Sequence, residues 1–195
     1  MDSTRLTRIG ALFVVLPIVA LLVTALCVVG YVLCVALEIP LRLHLPGALR
    51  AVGIIVLAAG SAVYIWLWKY RSPVEIFVST FVSWTKLLRG VPRNVPAERS
   101  EPLVVTGPHR YVRHPLYAAV MVMAFGWWLL LDYTVLLLLA AFMFLWFNFV
   151  VAPFEERELA ALFGPEYEAY AKRTPRFVPS LQRCGGAGAA SGPPA

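Results

Sequence analysis

The chain has 195 residues, of which 60% are hydrophobic, and its mean hydropathy is +0.75. So apolar a composition excludes an ordinary soluble domain and indicates an integral membrane protein. The three cysteines show neither a disulfide framework nor a metal-ligand spacing. The net charge of +6 does not indicate nucleic-acid binding, because the basic residues follow the pattern of a membrane topology described below.

Four apolar runs are predicted to cross the membrane as helices, since about 20 apolar residues span a bilayer core. They cover residues 9–37, 48–68, 116–131 and 134–152. The first run is too long for the apolar core of a cleaved signal peptide, which has about 7–15 residues. The last two runs are separated only by Asp132-Tyr133, which predicts a tight turn and an antiparallel helical hairpin.

Two amphipathic helices are predicted outside these spans. Residues 73–89 mix apolar and polar side chains over a stretch too short to cross, which favours a helix lying in the interface. Residues 154–172 carry many charges and indicate a cytosolic helix after the fourth span. The predicted fold class is therefore all-α integral membrane, with about four transmembrane helices, an interfacial helix and a C-terminal cytosolic helix.

The chain is expected to have three parts. Residues 1–99 hold the first membrane helices, the interfacial helix and a proline-rich connector, and residues 100–180 hold a functional core built on the hairpin. Residues 181–195 are rich in Gly, Ala, Ser and Pro, a composition typical of disorder.

The basic residues predict the orientation. Of the 17 Lys and Arg residues, 15 lie before span one, between spans two and three, or after span four. The two exceptions are Arg42, between spans one and two, and Arg50, near the start of span two. The positive-inside rule therefore predicts that both termini, and the segment before the third span, are cytoplasmic.

The segment before the third span is the most unusual stretch of the chain. Residues 107–117 read GPHRYVRHPLY and contain four side chains that can be cationic, directly before an apolar run. Charged groups at a membrane boundary are costly to desolvate unless they are paired. This stretch is therefore expected to have acidic partners.

The hairpin predicts which acidic residues these are. Spans three and four have similar lengths, roughly 25–28 Å at 1.5 Å per residue, so their outer ends return to the same depth. This places Arg113, His114 and Tyr117 beside Glu155, Glu156 and Glu158. A plainer interpretation also holds for the glutamates alone, because acidic residues favour helix N-termini and Pro153 suits helix entry. Asn148, inside span four, is expected to hydrogen-bond a neighbouring helix.

These motifs resemble a known enzyme family. Residues 107–117, the pair Glu155-Glu156, FGPEYEAY at 163–170 and TPRFVP at 174–179 are similar to the isoprenylcysteine carboxyl methyltransferase family. Related membrane phospholipid N-methyltransferases share much of the pattern. The resemblance covers about residues 100–180. Many relatives have glycine two residues after the motif tyrosine, where this chain has alanine, another small residue.

The resemblance implies S-adenosylmethionine as the cofactor and methyl donor, reached from the cytosol, and no metal. It implies an acceptor that enters from the bilayer, either a lipidic or prenylated small molecule or a prenylated protein C-terminus. The residues implied to bind the cofactor are His109, Tyr111, Arg113, His114, Pro115, Tyr117, Glu155 and Glu156. Those implied to be catalytic are Arg113, Glu156 and Arg176.

The chemistry of these residues agrees with the resemblance and leaves the acceptor and the oligomeric state open. Arg or His can bind the donor's carboxylate, and Glu can bind its ammonium or ribose hydroxyls. A carboxylate acceptor needs only orientation, whereas an amine acceptor, as in phosphatidylethanolamine N-methylation, needs Glu156 or His114 as a base. A membrane reductase with a nicotinamide cofactor would need more helices, and a non-enzymatic membrane scaffold is the remaining alternative.

Overall fold

The computed structural model describes residues 3–70 and 103–179. Six α-helices lie within these ranges: α1 Ser3–Ala36, α2 Gly47–Leu67, α3 Pro115–Leu131, α4 Thr134–Trp146, α5 Ala152–Phe163 and α6 Pro165–Arg173. A 3-10 turn at Gly107–Arg110 precedes α3, and a π-helical turn at Phe147–Val151 joins α4 to α5.

The all-α membrane class is confirmed. Three of the described helical segments are long and apolar enough to cross a bilayer: Leu16–Ala36, Gly47–Leu67 and Thr134–Phe163. The predicted third span forms α3, a shorter apolar helix of 17 residues. The predicted interfacial helix at 73–89 and the predicted tail at 181–195 lie outside the described residues, and the cytoplasmic orientation stays a prediction.

Helices α2 and α3 pack against each other at three glycines. A Cβ on Gly53 would lie 2.9 Å from the backbone nitrogen of Leu130, and one on Gly126 would lie 2.9 Å from that of Leu57. A Cβ on Gly60 would lie 2.7 Å from Cγ of Met123. Small residues allow helix backbones to approach this closely, which increases van der Waals contact between them in a membrane.

The turn between α3 and α4 is tied to the loop between α1 and α2. Asp132 ends α3 in the left-handed conformation, with φ +59°, and is fully buried. Its carboxylate accepts hydrogen bonds from the backbone N–H groups of Leu43 (3.3 Å) and Leu45 (2.9 Å) and pairs with Nη2 of Arg50 at 3.2 Å. The tight turn predicted at residues 132–133 is confirmed, and the buried carboxylate fixes the far end of the hairpin.

The fourth span was predicted to end at Pro153, but its helix does not end there. The helix continues through Pro153 to Phe163, because the π-helical turn changes the hydrogen-bond register just before the proline. In this turn the N–H of Ala152 donates to the carbonyl of Phe147, five residues back. The same register would pair the carbonyl of Asn148 with Pro153, which has no N–H to donate.

The predicted cytosolic helix at 154–172 is also not one helix. Gly164 separates α5 from α6 with φ +51° and ψ −128°, a conformation that is accessible to glycine and strained for other residues. Pro165 follows and disfavours a helical residue before it. The chain therefore changes direction at Gly164, and α6 is a separate helix that leads to the C-terminal segment.

Candidate functional site

The motif before α3 is shaped by two residues with special backbones. Gly107 has φ +60°, and a Cβ there would overlap the ring of Tyr70, three residues after the end of α2. Pro115 begins α3, where its missing N–H costs nothing because the first N–H groups of a helix have no partner inside it. Between them, Arg113 and His114 lie on a short non-helical segment at the mouth of the hairpin.

The segment after α6 pairs with this motif through its backbone. The N–H of Arg113 donates to the carbonyl of Pro175 at 2.8 Å, and that of His114 to the carbonyl of Arg176 at 3.1 Å. The hydroxyl of Tyr170 donates to the carbonyl of His109 at 2.7 Å. These bonds bring Arg176 over the start of α3.

Glu156, on α5, is the acceptor for three cationic side chains. Arg176 binds its carboxylate with two nitrogens, Nε to Oε1 at 2.9 Å and Nη2 to Oε2 at 2.7 Å. Nη2 of Arg113 lies 2.9 Å from Oε1, and Nε2 of His114 lies 3.2 Å from the same oxygen. Two-nitrogen contacts of this kind are among the stronger charge-assisted hydrogen bonds.

The imidazole of His114 lies between two carboxylates. Its Nε2 faces Glu156, and its Nδ1 lies 3.5 Å from Oε2 of Glu155. The other oxygen of Glu155, Oε1, accepts a 2.6 Å hydrogen bond from the hydroxyl of Tyr117. Both ring nitrogens can donate only when the ring is an imidazolium. Burial by itself lowers the pKa of His114, but Glu155 and Glu156 outweigh burial and raise the pKa above its usual value.

The π-helical turn contributes a further contact. Nη1 of Arg176 lies 3.2 Å from the carbonyl of Asn148 and 3.3 Å from its side-chain oxygen. This carbonyl is the one that the turn's register would pair with Pro153, so the arginine takes the place of the missing donor. Asn148 was expected to find a helix partner, and its partner is instead a side chain of the C-terminal segment.

We refer to Arg113, His114, Glu155, Glu156 and Arg176 as the charged cluster. Aromatic rings pack beside it. The ring of Tyr117 stacks on that of Phe147 with centroids 4.6 Å apart, and His114 contacts the rings of Tyr117 and Phe177 at 5.7 and 5.8 Å. A polar group inside this cluster is therefore partly shielded from water, which strengthens its electrostatic interactions.

The structure brings most of the predicted site residues together. Arg113, His114, Tyr117, Glu155, Glu156 and Arg176 lie in one network, and Pro115 is buried at its base. Nδ1 of His109 lies 3.3 Å from the carbonyl of Arg113. Tyr111 is 47% exposed and packs instead against Trp66 of α2, with centroids 6.1 Å apart. The roles of these residues in binding and catalysis stay predictions.

Three contributors to the site were not among the predicted residues. They are the ring of Phe147, the ring of Phe177 and the carbonyl of Ala171, which accepts a 2.7 Å hydrogen bond from Nη1 of Arg113. Phe177 belongs to the TPRFVP motif, and that was a signal for it. Phe147 is one apolar residue among many in its helix, and its sequence context carries no such signal.

Two curated proteins are similar to part of this chain. The nickel-cobalt-cadmium resistance protein NccN of Alcaligenes xylosoxydans xylosoxydans is 34% identical over 87 residues. The cobalt-zinc-cadmium resistance protein CzcN of Cupriavidus metallidurans is 32% identical over 87 residues. Each match covers 45% of this chain and 40% of the relative, so the chain spans about two-fifths of these relatives' length.

No solved structure matches the chain at a significant level. Residues 49–166 match the phospholipid methyltransferase family, known as PEMT. The match covers helices α2 to α5 together with the motif before α3, and it includes every residue of the charged cluster except Arg176. The narrower likeness to isoprenylcysteine carboxyl methyltransferases stays an interpretation of the motifs. The chain belongs to the phospholipid methyltransferase family.

Proposed function

We propose that this protein is an S-adenosylmethionine-dependent membrane methyltransferase that methylates the carboxylate of a lipidic or isoprenoid acceptor. The family supports methyl transfer in a membrane protein. The observation that carries the choice of acceptor is the pairing of Glu156 and His114 within the charged cluster.

The charged cluster fits the methyl donor. The amino-acid end of S-adenosylmethionine carries a carboxylate and an ammonium, and the cluster offers two guanidinium groups and two carboxylates. Arg113 and Arg176 would hold the carboxylate, Glu155 the ammonium, and the rings of Tyr117 and Phe147 would cover apolar parts. When bound, S-adenosylmethionine supplies a methyl group activated by its positively charged sulfur.

The cluster favours an acceptor that needs no base. Glu156 is contacted by three cationic groups, which stabilise its charged form and make it a weak base. The raised pKa of His114 favours the imidazolium, which has no lone pair to accept a proton. An ammonium headgroup would have to lose a proton before it could be methylated, whereas a carboxylate is already nucleophilic.

The chain's own contribution is then positioning and exclusion of water. Methyl transfer is an in-line displacement, so its rate depends on how well the reacting atoms are held. Arg113 and Arg176 are anchored by the carbonyls of Ala171 and Asn148, which fixes the direction of their remaining N–H groups. The rings of Tyr117 and Phe147 limit access of water from the side of the hairpin.

A methylation assay tests the proposal. The purified protein in lipid nanodiscs is incubated with methyl-labelled S-adenosylmethionine and either a prenyl-cysteine acid or phosphatidylethanolamine. We expect label in a base-labile methyl ester of the acid. Binding of a nicotinamide cofactor together with failure to bind S-adenosylhomocysteine would overturn the assignment.

Phospholipid N-methylation is the second candidate, and the description of the matched family favours it. In the same assay it predicts base-stable label on the headgroup amine of phosphatidylethanolamine. It also predicts a rate that rises with pH as the free amine becomes available, because the base must come from outside the paired Glu156 and His114.

The names of the two relatives concern resistance to metal ions. Among residues 3–70 and 103–179, no group of three or more His, Cys, Asp or Glu side chains is placed to hold a metal ion. We therefore propose no metal-binding function on the strength of those names.

A further inference from the structure

We propose that Tyr167 is a further ligand-binding residue of this site, and that its hydroxyl and Nε of Arg113 together bind a carboxylate. The inference rests on the proposed function, because the carboxylate in question belongs either to the methyl donor or to the lipidic acid that is methylated. Tyr167 lies on α6, which the matched family region reaches only at its first residues.

The hydroxyl of Tyr167 is buried without a partner. The residue is 3% exposed, and its hydroxyl makes no hydrogen bond to any residue that the structure describes. Tyr170, less than one turn later on the same helix, is 4% exposed, and its hydroxyl donates to the carbonyl of His109. Two neighbouring buried phenols thus differ: the hydroxyl of Tyr170 makes a hydrogen bond within the protein, and that of Tyr167 has no partner in the described chain.

One nitrogen of Arg113 is also buried without a hydrogen-bond partner among the described residues. Its Nη1 donates to the carbonyl of Ala171, and its Nη2 pairs with Glu156. Its Nε is buried and has no hydrogen-bond partner among the described residues. Folding rarely leaves a buried donor unpaired, because burial removes its hydrogen bonds to water.

Both unpaired groups lie at α6, because Nη1 of Arg113 donates to the carbonyl of Ala171, four residues after Tyr167 on that helix. Burial and the charge of Glu156 together raise the pKa of Tyr167 to about 12, although the guanidinium groups of Arg113 and Arg176 act in the opposite direction. At neutral pH the phenol is therefore protonated and can donate a hydrogen bond. A phenol O–H and a guanidinium N–H are both donors, and Arg113 adds positive charge, so the matching ligand group is an anionic acceptor such as a carboxylate.

Two carboxylates are available in the proposed reaction. One belongs to the amino-acid end of the methyl donor, and the other is the acid group of the acceptor. Both offer the same chemistry to Tyr167 and Arg113. Ligands that differ only in the amino-acid end can separate them: S-adenosylhomocysteine carries this carboxylate, and 5′-methylthioadenosine has the same nucleoside without it.

The experiment compares Tyr167→Phe with Tyr170→Phe in the full chain, purified in detergent. Thermal melting is measured without ligand, and calorimetry measures the affinity for S-adenosylhomocysteine and for 5′-methylthioadenosine. Because the Tyr167 hydroxyl has no partner in the described chain, Tyr167→Phe should melt no lower than the wild type. Tyr170→Phe should melt lower, because it loses the hydrogen bond to His109.

The expected ligand result depends on which carboxylate is bound. If it is the donor's, Tyr167→Phe weakens S-adenosylhomocysteine binding roughly ten- to a hundredfold and leaves 5′-methylthioadenosine unchanged. If it is the acceptor's, both nucleosides bind normally, and the KM for a prenyl-cysteine acid rises by a similar factor. Either result supports the proposal.

Two results would overturn it. A Tyr167→Phe protein that melts several degrees below the wild type has lost a hydrogen bond made inside the protein, so the hydroxyl is structural. If Tyr167→Phe leaves both affinities and the KM unchanged, the hydroxyl of the wild-type protein binds no ligand. A wild-type protein that binds neither nucleoside removes the proposed function itself, and the melting comparison still decides whether the hydroxyl is free.

Discussion

At the scale of single residues, Glu156 is where three segments of the chain meet. Arg113 and His114 come from the motif before α3, Arg176 comes from the segment after α6, and Glu156 itself is on α5. Its carboxylate therefore neutralises positive charge and also holds the segments in place. Its side chain is only 16% exposed, so removing its charge leaves three cations that water can solvate only in part.

We predict that Glu156→Gln lowers the free energy of unfolding by about 2–4 kcal/mol, as for other partly buried ion pairs that lose one partner. It should also weaken binding of S-adenosylhomocysteine at least tenfold, because Arg113 and Arg176 lose their shared anchor. Denaturant titration in detergent and calorimetry measure the two effects.

The matched control is Glu168→Gln, the same substitution at an exposed position of α6. It should change stability by no more than about 0.5 kcal/mol. Equal effects of the two substitutions would show that the charged cluster is not the anchor that its geometry indicates.

His114 predicts a pH dependence of stability. Its pKa in the folded protein is raised above the ordinary value of 6.5. The stabilisation that it provides is therefore complete below pH 6.5 and is lost as the pH rises through the folded pKa. The melting temperature of the wild type should fall over this range, and His114→Gln should remove this part of the decrease because glutamine does not titrate.

A histidine at the other end of the hairpin serves as the control. His44 is exposed in the loop between α1 and α2, and His44→Gln should keep the wild-type slope of melting temperature against pH. If His114→Gln also keeps that slope, the imidazolium between Glu155 and Glu156 does not contribute to stability.

Much of the charged cluster could be predicted from the sequence, and the reason is geometric. A hairpin with almost no connecting residues must return its ends to the same depth, so Arg113 and His114 had to lie near Glu155 and Glu156. The direction of each side chain could not be predicted in this way. Tyr111 is four residues from Pro115, yet its ring packs against Trp66, because the 3-10 turn rotates it towards α2.

At the scale of elements, the packing of α2 on α3 positions the motif. The two helices approach at Gly53, Gly60 and Gly126, where even one added carbon would meet the backbone or side chain of the other helix. Gly107 continues this contact beyond the helices, because it lies against the ring of Tyr70. The start of α3, and with it His114, is therefore held against α2 along the whole contact.

We predict that Gly126→Ala destabilises the protein by about 1–3 kcal/mol, the usual cost of inserting a methyl group into a packed interface. The added carbon would lie 2.8 Å from Cγ of Leu57 and 2.9 Å from its backbone nitrogen. Gly47→Ala is the control, because an added carbon there meets nothing within 4 Å at the first residue of α2. Unfolding in SDS from detergent micelles would measure both, and similar stabilities would count against close packing.

The bounds of the helices in the first half could be predicted closely, because apolar runs in a membrane end where polar residues begin. The helix bounds in the second half were harder to predict, because a proline inside a helix usually ends it and Pro153 does not. The π-helical turn and the contact of Arg176 with the Asn148 carbonyl together accommodate the proline. That contact joins residues 28 positions apart, so no local pattern contains it.

At the scale of the whole molecule, the two ends of the hairpin differ in their contacts. One end carries the charged cluster, and the other is closed by buried Asp132 and its bonds to the loop between α1 and α2. The first end depends on the segment after α6, because Arg176 reaches Glu156 only when residues 175 and 176 pair with the motif.

We predict that truncation after Arg173 keeps the helices inserted and abolishes binding of S-adenosylhomocysteine, because it removes Arg176 and the backbone partners of Arg113 and His114. Truncation after Pro179 is the control and should bind as the full chain does. Protease protection in membrane vesicles checks insertion, and calorimetry checks binding. Full binding by the shorter protein would exclude a role for the C-terminal segment.

The pairing of residues 175–176 with residues 113–114 also has a consequence for how the protein is made. Residues 174–179 are synthesised after every described helix, so the helices can enter the membrane before the last cation reaches Glu156. During that interval the glutamate has only the partners on the motif before α3. The charged cluster is therefore completed only after every described helix has been synthesised, and under the proposed function the chain can bind the methyl donor only from that point.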